Sequence, residues 1–332
     1  MIITIQKENK NVNLGIEILR VILCFWVLLF HFLEKQEIKY FLLYEIIKTK
    51  FFHVSCFCFI SFYYTYNIFS NRNIIKLKKR LERLLLPYIL WPIIIFIVHN
   101  IFYFKNRISL KELKLQLIGG SEFMVHFWYL LSVILISILF HIFSYLPNFI
   151  FVIQLITIIS YIIQYSNYDN FLYKYKDNVR YPIVGTMRMF PISVIGITIA
   201  SSNISEILET NRIKALFFLY LFIYFLFKYN IFINLGGYKG IVHIFSSIVL
   251  FFGFYLIPFK DISNFFYKMV KQITSYTNGI YCLHTRIMYI LKGTFKFKGN
   301  FKTTINIYLI GYFISFIGIN LFKKTRLKYL FI

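Results

Sequence analysis

Long apolar runs alternate with short polar segments along the whole chain. A helix needs about 20 mostly apolar residues to cross a bilayer. Ten stretches approach or exceed that length: 14–33, 51–70, 84–104, 123–143, 146–165, 180–200, 213–234, 241–258, 273–292 and 303–322. These runs are continuous, whereas barrel strands would alternate with polar lumen positions. The pattern predicts an all-α, polytopic transmembrane bundle of about ten spans, built as a single domain over residues 1–332.

Composition supports the membrane interpretation. The chain is 59% hydrophobic and only 15% charged, which leaves too few charges to coat a soluble protein of 332 residues. In a soluble protein the net charge of +24 would suggest nucleic acid as a partner. Here most lysines and arginines lie between the apolar runs, where such residues meet anionic headgroups. We therefore expect membrane lipid, and not nucleic acid, as a partner.

The basic residues also bear on orientation. Their totals on the two sides of the predicted bundle are nearly equal. The densest cluster, "NRNIIKLKKRLER" at 71–83, carries six basic residues beside one acid and belongs to the second loop. Because basic loops are retained in the cytoplasm, we expect this loop and both chain termini to be cytoplasmic.

The four cysteines, Cys24, Cys56, Cys58 and Cys282, all fall within apolar runs. They show no spacing typical of metal ligands. We interpret them as buried packing residues and expect no metal site.

The first apolar run contains three ionisable residues, Glu17, Arg20 and His31. A charge near mid-bilayer costs at least about 2.5 kcal/mol, so such residues usually face a partner or a water-filled cavity. On a helix, Arg20 and His31 project from nearly the same face about 16 Å apart. Glu17 lies three residues before Arg20 and can pair with it. Spacing alone also allows a purely structural pair with an interfacial histidine.

The third run begins with "RLERLLLPY" at 80–88, in which Arg80 and Arg83 are one helical turn apart. Pro87 is tolerated at the start of a helix. Two adjacent guanidiniums would make a phosphate clamp, although an ordinary basic flank of a membrane span would look the same.

Together these features resemble the acyltransferase 3 family of integral-membrane enzymes that acylate hydroxyl groups. Arg20 and His31 match the family's arginine, ten residues, histidine motif, and Arg80 and Arg83 with the following Pro-Tyr match its R-x-x-R motif. "HFWYL" at 126–130 is similar to its aromatic segment, and "GIYCLH" at 279–284 to its late Gly-Ile-Tyr…His segment.

The resemblance implies transfer of an acyl group, usually acetyl from cytoplasmic acetyl-CoA, to a sugar hydroxyl of a bacterial surface or lipid-linked glycan. It implies a bacterial plasma-membrane location and no permanently bound cofactor. His31 is then the candidate general base, since imidazole exchanges protons near neutral pH. Arg20 would assist it, and Arg80 and Arg83 would bind the phosphates of coenzyme A. Five residues are expected to contact the acceptor or support the base: Glu17, Trp128, Arg188, Tyr281 and His284.

The chain departs from the family at Phe62, where members commonly have glycine after a serine, so the shape of the substrate tunnel at this point stays open. A transporter or flippase of a lipid-linked glycan is the alternative, because buried charges also line transport routes. The other large group of membrane-bound O-acyltransferases fits less well, since its key histidine lies late in the chain, where only His284 is available.

Overall fold

The computed structural model describes residues 13–32, 52–102, 108–117, 127–165, 180–202, 204, 208, 210–232, 241–259, 263–295 and 301–331. Parts of the predicted apolar runs lie outside the described residues, at 33, 51, 103–104, 123–126 and 233–234. The helices are α1 (Leu14–Phe32), α2 (Phe52–Tyr63), α3 (Tyr66–Ser70), α4 (Ile74–Phe102), α5 (Leu110–Leu117), α6 (Trp128–Phe143), α7 (Phe149–Tyr165), α8 (Arg180–Ser201), α9 (Arg212–Phe232), α10 (Ile241–Tyr255), α11 (Asn264–Ser275), α12 (Thr277–Phe295) and α13 (Phe301–Leu321). A short 3-10 helix, Arg326–Leu330, follows.

The all-helical prediction is confirmed for the described residues, and each apolar run contains a helix. Three of the described helices are long and apolar enough to cross a membrane, at Leu14–His31, Ile74–Ile101 and Phe301–Leu321. Five further apolar helices are shorter: His53–Tyr63, Trp128–Phe143, Phe149–Ile159, Gly185–Ser201 and Ile244–Tyr255. The chain is therefore an integral-membrane helical protein, and ten crossings stays a prediction.

Pro87, which would be tolerated at a helix start, lies in the interior of α4, because this helix begins well before the apolar run at 84–104. Helix α4 begins at Ile74, so most of the basic cluster lies on its first turns, and both Pro87 and Pro92 are inside it. Lysine, arginine and leucine are good helix formers and carry the helix through this stretch. Each proline lacks a backbone N–H and therefore cannot donate the usual helical hydrogen bond to the carbonyl four residues earlier.

Helix α1 is central to the bundle, because it packs against α2, α10, α11, α12 and α13. One apolar core joins α1 to α2, α6, α8 and α10, and includes the fully buried rings of Phe59, Phe62, Phe140 and Phe251. A second core joins the later half of α1 to α4, α6, α12 and α13. The four cysteines are free and buried, as predicted.

The predicted orientation can be tested at the turn before α4. Asn73 caps that helix, its Oδ1 accepting from the Lys76 backbone N–H at 2.9 Å, so the exposed Asn71 is the better position for a reporter cysteine. We expect Asn71→Cys to react with a membrane-impermeant maleimide only after cells are permeabilised. Lys111 is exposed and follows α4, so the alternating direction of the predicted spans places it on the side of the membrane opposite Asn71. Lys111→Cys is therefore the control and should react in intact cells. The reverse result would place the basic cluster outside the cell.

Candidate active site

His31 and His284 lie side by side. Their ring centroids are 5.2 Å apart, which joins the last turn of α1 to the second turn of α12. The resemblance implied that His284 supports the base or contacts the acceptor, but a ring contact between residues more than 250 positions apart does not follow from their spacing. In the structure the two residues form one imidazole pair.

The register between α1 and α12 explains this pairing. The Cys24 thiol donates to the Thr277 carbonyl at 3.6 Å. His31 lies seven residues after Cys24, and His284 lies seven residues after Thr277. Both steps cover about 10 Å of helix, so the two helices run parallel over this stretch. The Cys24–Thr277 contact therefore places His31 and His284 at the same level of the bundle.

A backbone contact orients His284. Its Nδ1 hydrogen-bonds to the Tyr281 carbonyl one turn earlier. Because a carbonyl only accepts, Nδ1 must carry the proton, and Nε2 is then the acceptor of the neutral ring. The His284 side chain is fully buried, whereas His31 is half-buried. His31 is the more accessible of the pair to a substrate.

Glu17 and Arg20 form the predicted ion pair, with Arg20 Nη1 3.3 Å from Glu17 Oε2. The pair lies near the start of α1, and α1 is helical throughout Leu14–Phe32. Arg20 is therefore about 16 Å along the helix from His31. The carboxylate neutralises part of the arginine's charge but does not reach the histidine pair.

Arg80 and Arg83 lie one helical turn apart on α4 and contact different partners. Arg80 points into the bundle, donating to Ser61 Oγ at 2.8 Å and to Ser137 Oγ at 3.1 Å. Its guanidinium also lies 5.2 Å from the centroid of the Phe62 ring. Phe62 stands where the resemblance leads one to expect glycine. Its ring is fully buried and packs beneath the Arg80 guanidinium.

Arg83 is exposed and lies over the Tyr329 ring, 5.6 Å from its centroid. Tyr329 belongs to the C-terminal 3-10 helix, which is also held to α4 by the Glu82–Arg326 pair at 3.5 Å. The expected side-by-side clamp is therefore not the arrangement in this structure, and coenzyme A binding by either arginine stays a prediction.

Tyr129 connects the arginine end of this region to the histidine end. Its ring lies 5.9 Å from that of Tyr281, which in turn lies 5.7 Å from His284. Its hydroxyl is within electrostatic range of both Arg80 and Arg20. Sequence reasoning did not single out this residue as a site position, because it is one of 27 tyrosines in the chain and its contacts depend on helices far apart in the sequence.

Trp128 and Arg188 lie at the packing of α6 against α8. The Trp128 ring packs on Gly185 of α8, so closely that a Cβ added there would be 2.5 Å from the ring. Trp128 also meets Tyr129 edge to face at 6.3 Å. Arg188 is half-buried one turn after Gly185. Trp128 thus helps to position Tyr129, and a role for Arg188 stays a prediction.

The glycine of the "GIYCLH" segment has a packing role. A Cβ on Gly279 would lie 2.5 Å from Ser315 Oγ and 2.6 Å from the Phe331 carbonyl. Only glycine therefore lets α12 approach both α13 and the C-terminal residues at this level. The close approach at Gly279 fixes the first turn of α12, and therefore also fixes the positions of Tyr281 and His284 along the axis of the bundle.

Ionisable side chains that face the interior of a lipid-solvated bundle, as Arg80 and His284 do, are typical of functional sites in membrane proteins. Comparison with known families gives one match: the model of the acyltransferase 3 family, described as an acyltransferase domain, covers residues 13–323. The chain therefore belongs to the acyltransferase 3 family and is an integral-membrane acyltransferase. Neither the curated proteins nor the solved structures give a match.

Proposed function

We propose that the protein transfers an acyl group, in the first place acetyl, from cytoplasmic acyl-CoA to a sugar hydroxyl of a surface or lipid-linked glycan. The observation that carries this proposal is the His31–His284 pair, 5.2 Å between centroids. An imidazole that can take a proton near neutral pH is what attack by an alcohol requires. Family membership supplies the reaction type, and the donor, the acceptor and the base are our inference.

In the proposed reaction, His31 takes the proton of the sugar hydroxyl. The hydroxyl oxygen attacks the thioester carbonyl, the carbon–sulfur bond breaks, and the acyl group passes to the sugar. The thiolate of coenzyme A leaves and receives the proton from His31, so the imidazole returns to its neutral form. His284, oriented by the Tyr281 carbonyl, supports the protonated ring through Nε2 without itself touching the acceptor.

The donor would lie along the polar path from the arginine end to the histidine end. Arg20 and Arg80 both occur six residues after the first residue of their helices. If α1 and α4 enter from the cytoplasm, both guanidiniums lie about 9 Å inside that end. Cations there attract the phosphates of coenzyme A, and the remaining distance of about 16 Å to His31 is comparable to the reach of the pantetheine arm.

Glycan acylation is the direct test of the function. A strain that lacks the gene should lose one class of acyl group from its surface glycan, detected by mass spectrometry, and the wild-type gene should restore it. A strain with His31→Gln should resemble the deletion. A glycan that keeps its acylation but fails to reach the surface would instead support the transporter, which has no support from the family match.

A further inference from the structure

Helix α11 differs from its neighbours in length and in the distribution of its side chains. Its 12 residues, Asn264–Ser275, cover about 18 Å, well short of the roughly 30 Å of a bilayer core. It is capped at its start, where Ser263 Oγ accepts from the Phe266 backbone N–H at 3.3 Å. It is thus a complete short helix and not the beginning of the span formed by α12.

The surface of α11 divides into three faces. Val270 and Thr274 are buried against the bundle. Phe265 is 78% exposed and Met269 37% exposed, and they lie on a second face. By the 100° step of a helix, the exposed Lys268 and Lys271 lie on a third face. One face therefore packs on protein, one is apolar and uncovered, and one is cationic.

Helix α11 packs beside the beginning of α1. Tyr267 lines a cleft with Asn13 and Leu14, at the beginning of α1. Thr274 Oγ1 donates to the Val270 carbonyl of its own helix at 2.8 Å and also lies 3.3 Å from the Glu17 carbonyl. Both observations concern the first residues of α1, so α11 packs at the level where the membrane span of α1 begins.

We propose that α11 is an interfacial helix that lies in the headgroup region of the bilayer, where Phe265 and Met269 enter the acyl chains and Lys268 and Lys271 bind anionic lipid headgroups. A short helix with separate apolar and basic faces is suited to this position. Each lysine near an anionic surface adds to the attraction. Because Thr274 lies against the Glu17 backbone, α11 borders the turn of α1 that carries Arg20.

Spin labelling of the full-length protein in vesicles tests the proposal. The native cysteines are buried, so a nitroxide reagent can be directed to single introduced cysteines at Phe265, Met269, Lys268 and Lys271. The deep reference is Phe313→Cys, an exposed position within the α13 span. For an interfacial helix, the ratio of collisions with oxygen to collisions with a water-soluble nickel chelate should be at least about twofold higher at Phe265 and Met269 than at the two lysines.

Two results would overturn the proposal. Equal and high nickel collisions at all four positions would mean that α11 stands in water. Spin–spin broadening at Phe265 and Met269 would mean that a second copy of the chain covers the apolar face.

Lipid composition tests the cationic face separately. With the label at Met269, adding phosphatidylglycerol to phosphatidylcholine vesicles should raise the oxygen-to-nickel ratio. The double variant Lys268→Gln, Lys271→Gln should remove that response, whereas the control pair Lys323→Gln, Lys324→Gln, exposed after α13, should keep it. A response that survives in the α11 double variant would contradict headgroup binding by these lysines.

Discussion

Replacing His31 with glutamine should lower acyl transfer by about 100-fold or more, in line with the 10²–10⁴ range for general-base catalysis. Glutamine keeps a similar size and hydrogen-bonding groups but cannot exchange a proton near neutral pH. His31 lies about 16 Å along α1 from Arg20, so acyl-CoA binding should persist. The measurements are acetyl transfer from labelled acetyl-CoA and acyl-CoA affinity, with the purified protein in vesicles.

His141→Gln is the matched control for this variant. His141 is also a buried helical histidine, but it lies near the end of α6, against the Tyr145 ring. It should retain near wild-type transfer. A His31→Gln protein that accumulates normally and is fully active would remove the catalytic assignment. Parallel loss of folded protein, acyl-CoA binding and activity would show that His31 is structural.

Replacing Arg80 with lysine should weaken acyl-CoA binding by about tenfold or more, because a hydrogen bond to a charged group contributes about 1.5–3 kcal/mol. The guanidinium donates to two serines on two different helices at once, and an ammonium lacks that planar geometry. The measurement is acyl-CoA affinity, with the thermal midpoint recorded alongside to detect a change in folding.

Two further variants separate ligand binding from architecture. Arg83→Lys should weaken acyl-CoA binding much less, since Arg83 is exposed over Tyr329. Ser137→Ala removes one partner of Arg80 but keeps the guanidinium, so its affinity should stay close to wild type. If Ser137→Ala and Arg80→Lys lower the thermal midpoint equally and neither changes affinity, then Arg80 is a structural residue.

The sequence predicted the helical class and the Glu17–Arg20 pair because both depend on local features. An apolar run of membrane length is visible in one segment, and an ion pair three residues apart lies within one turn. The same reasoning placed His31 and Arg20 on one helix. It could not place His284 beside His31, because that contact depends on the register between two helices far apart in the chain.

The two arginines of α4 show another limit. Three residues on a helix differ by about 60° around the axis, and sequence spacing does not say where the boundary between interior and exterior falls. In the structure it falls between them, so that Arg80 points towards Ser137 and Arg83 points outwards. Tyr129 was missed for a related reason, since its neighbour Tyr281 belongs to a distant helix.

The parallel register of α1 and α12 limits how these segments can change in evolution. One inserted residue between Cys24 and His31 would rotate His31 by about 100° around α1 and shift it by about 1.5 Å, turning it away from His284. The same holds between Thr277 and His284. Relatives that retain both histidines should therefore align without gaps across residues 24–31 and 277–284, and insertions should accumulate instead in the connections between helices.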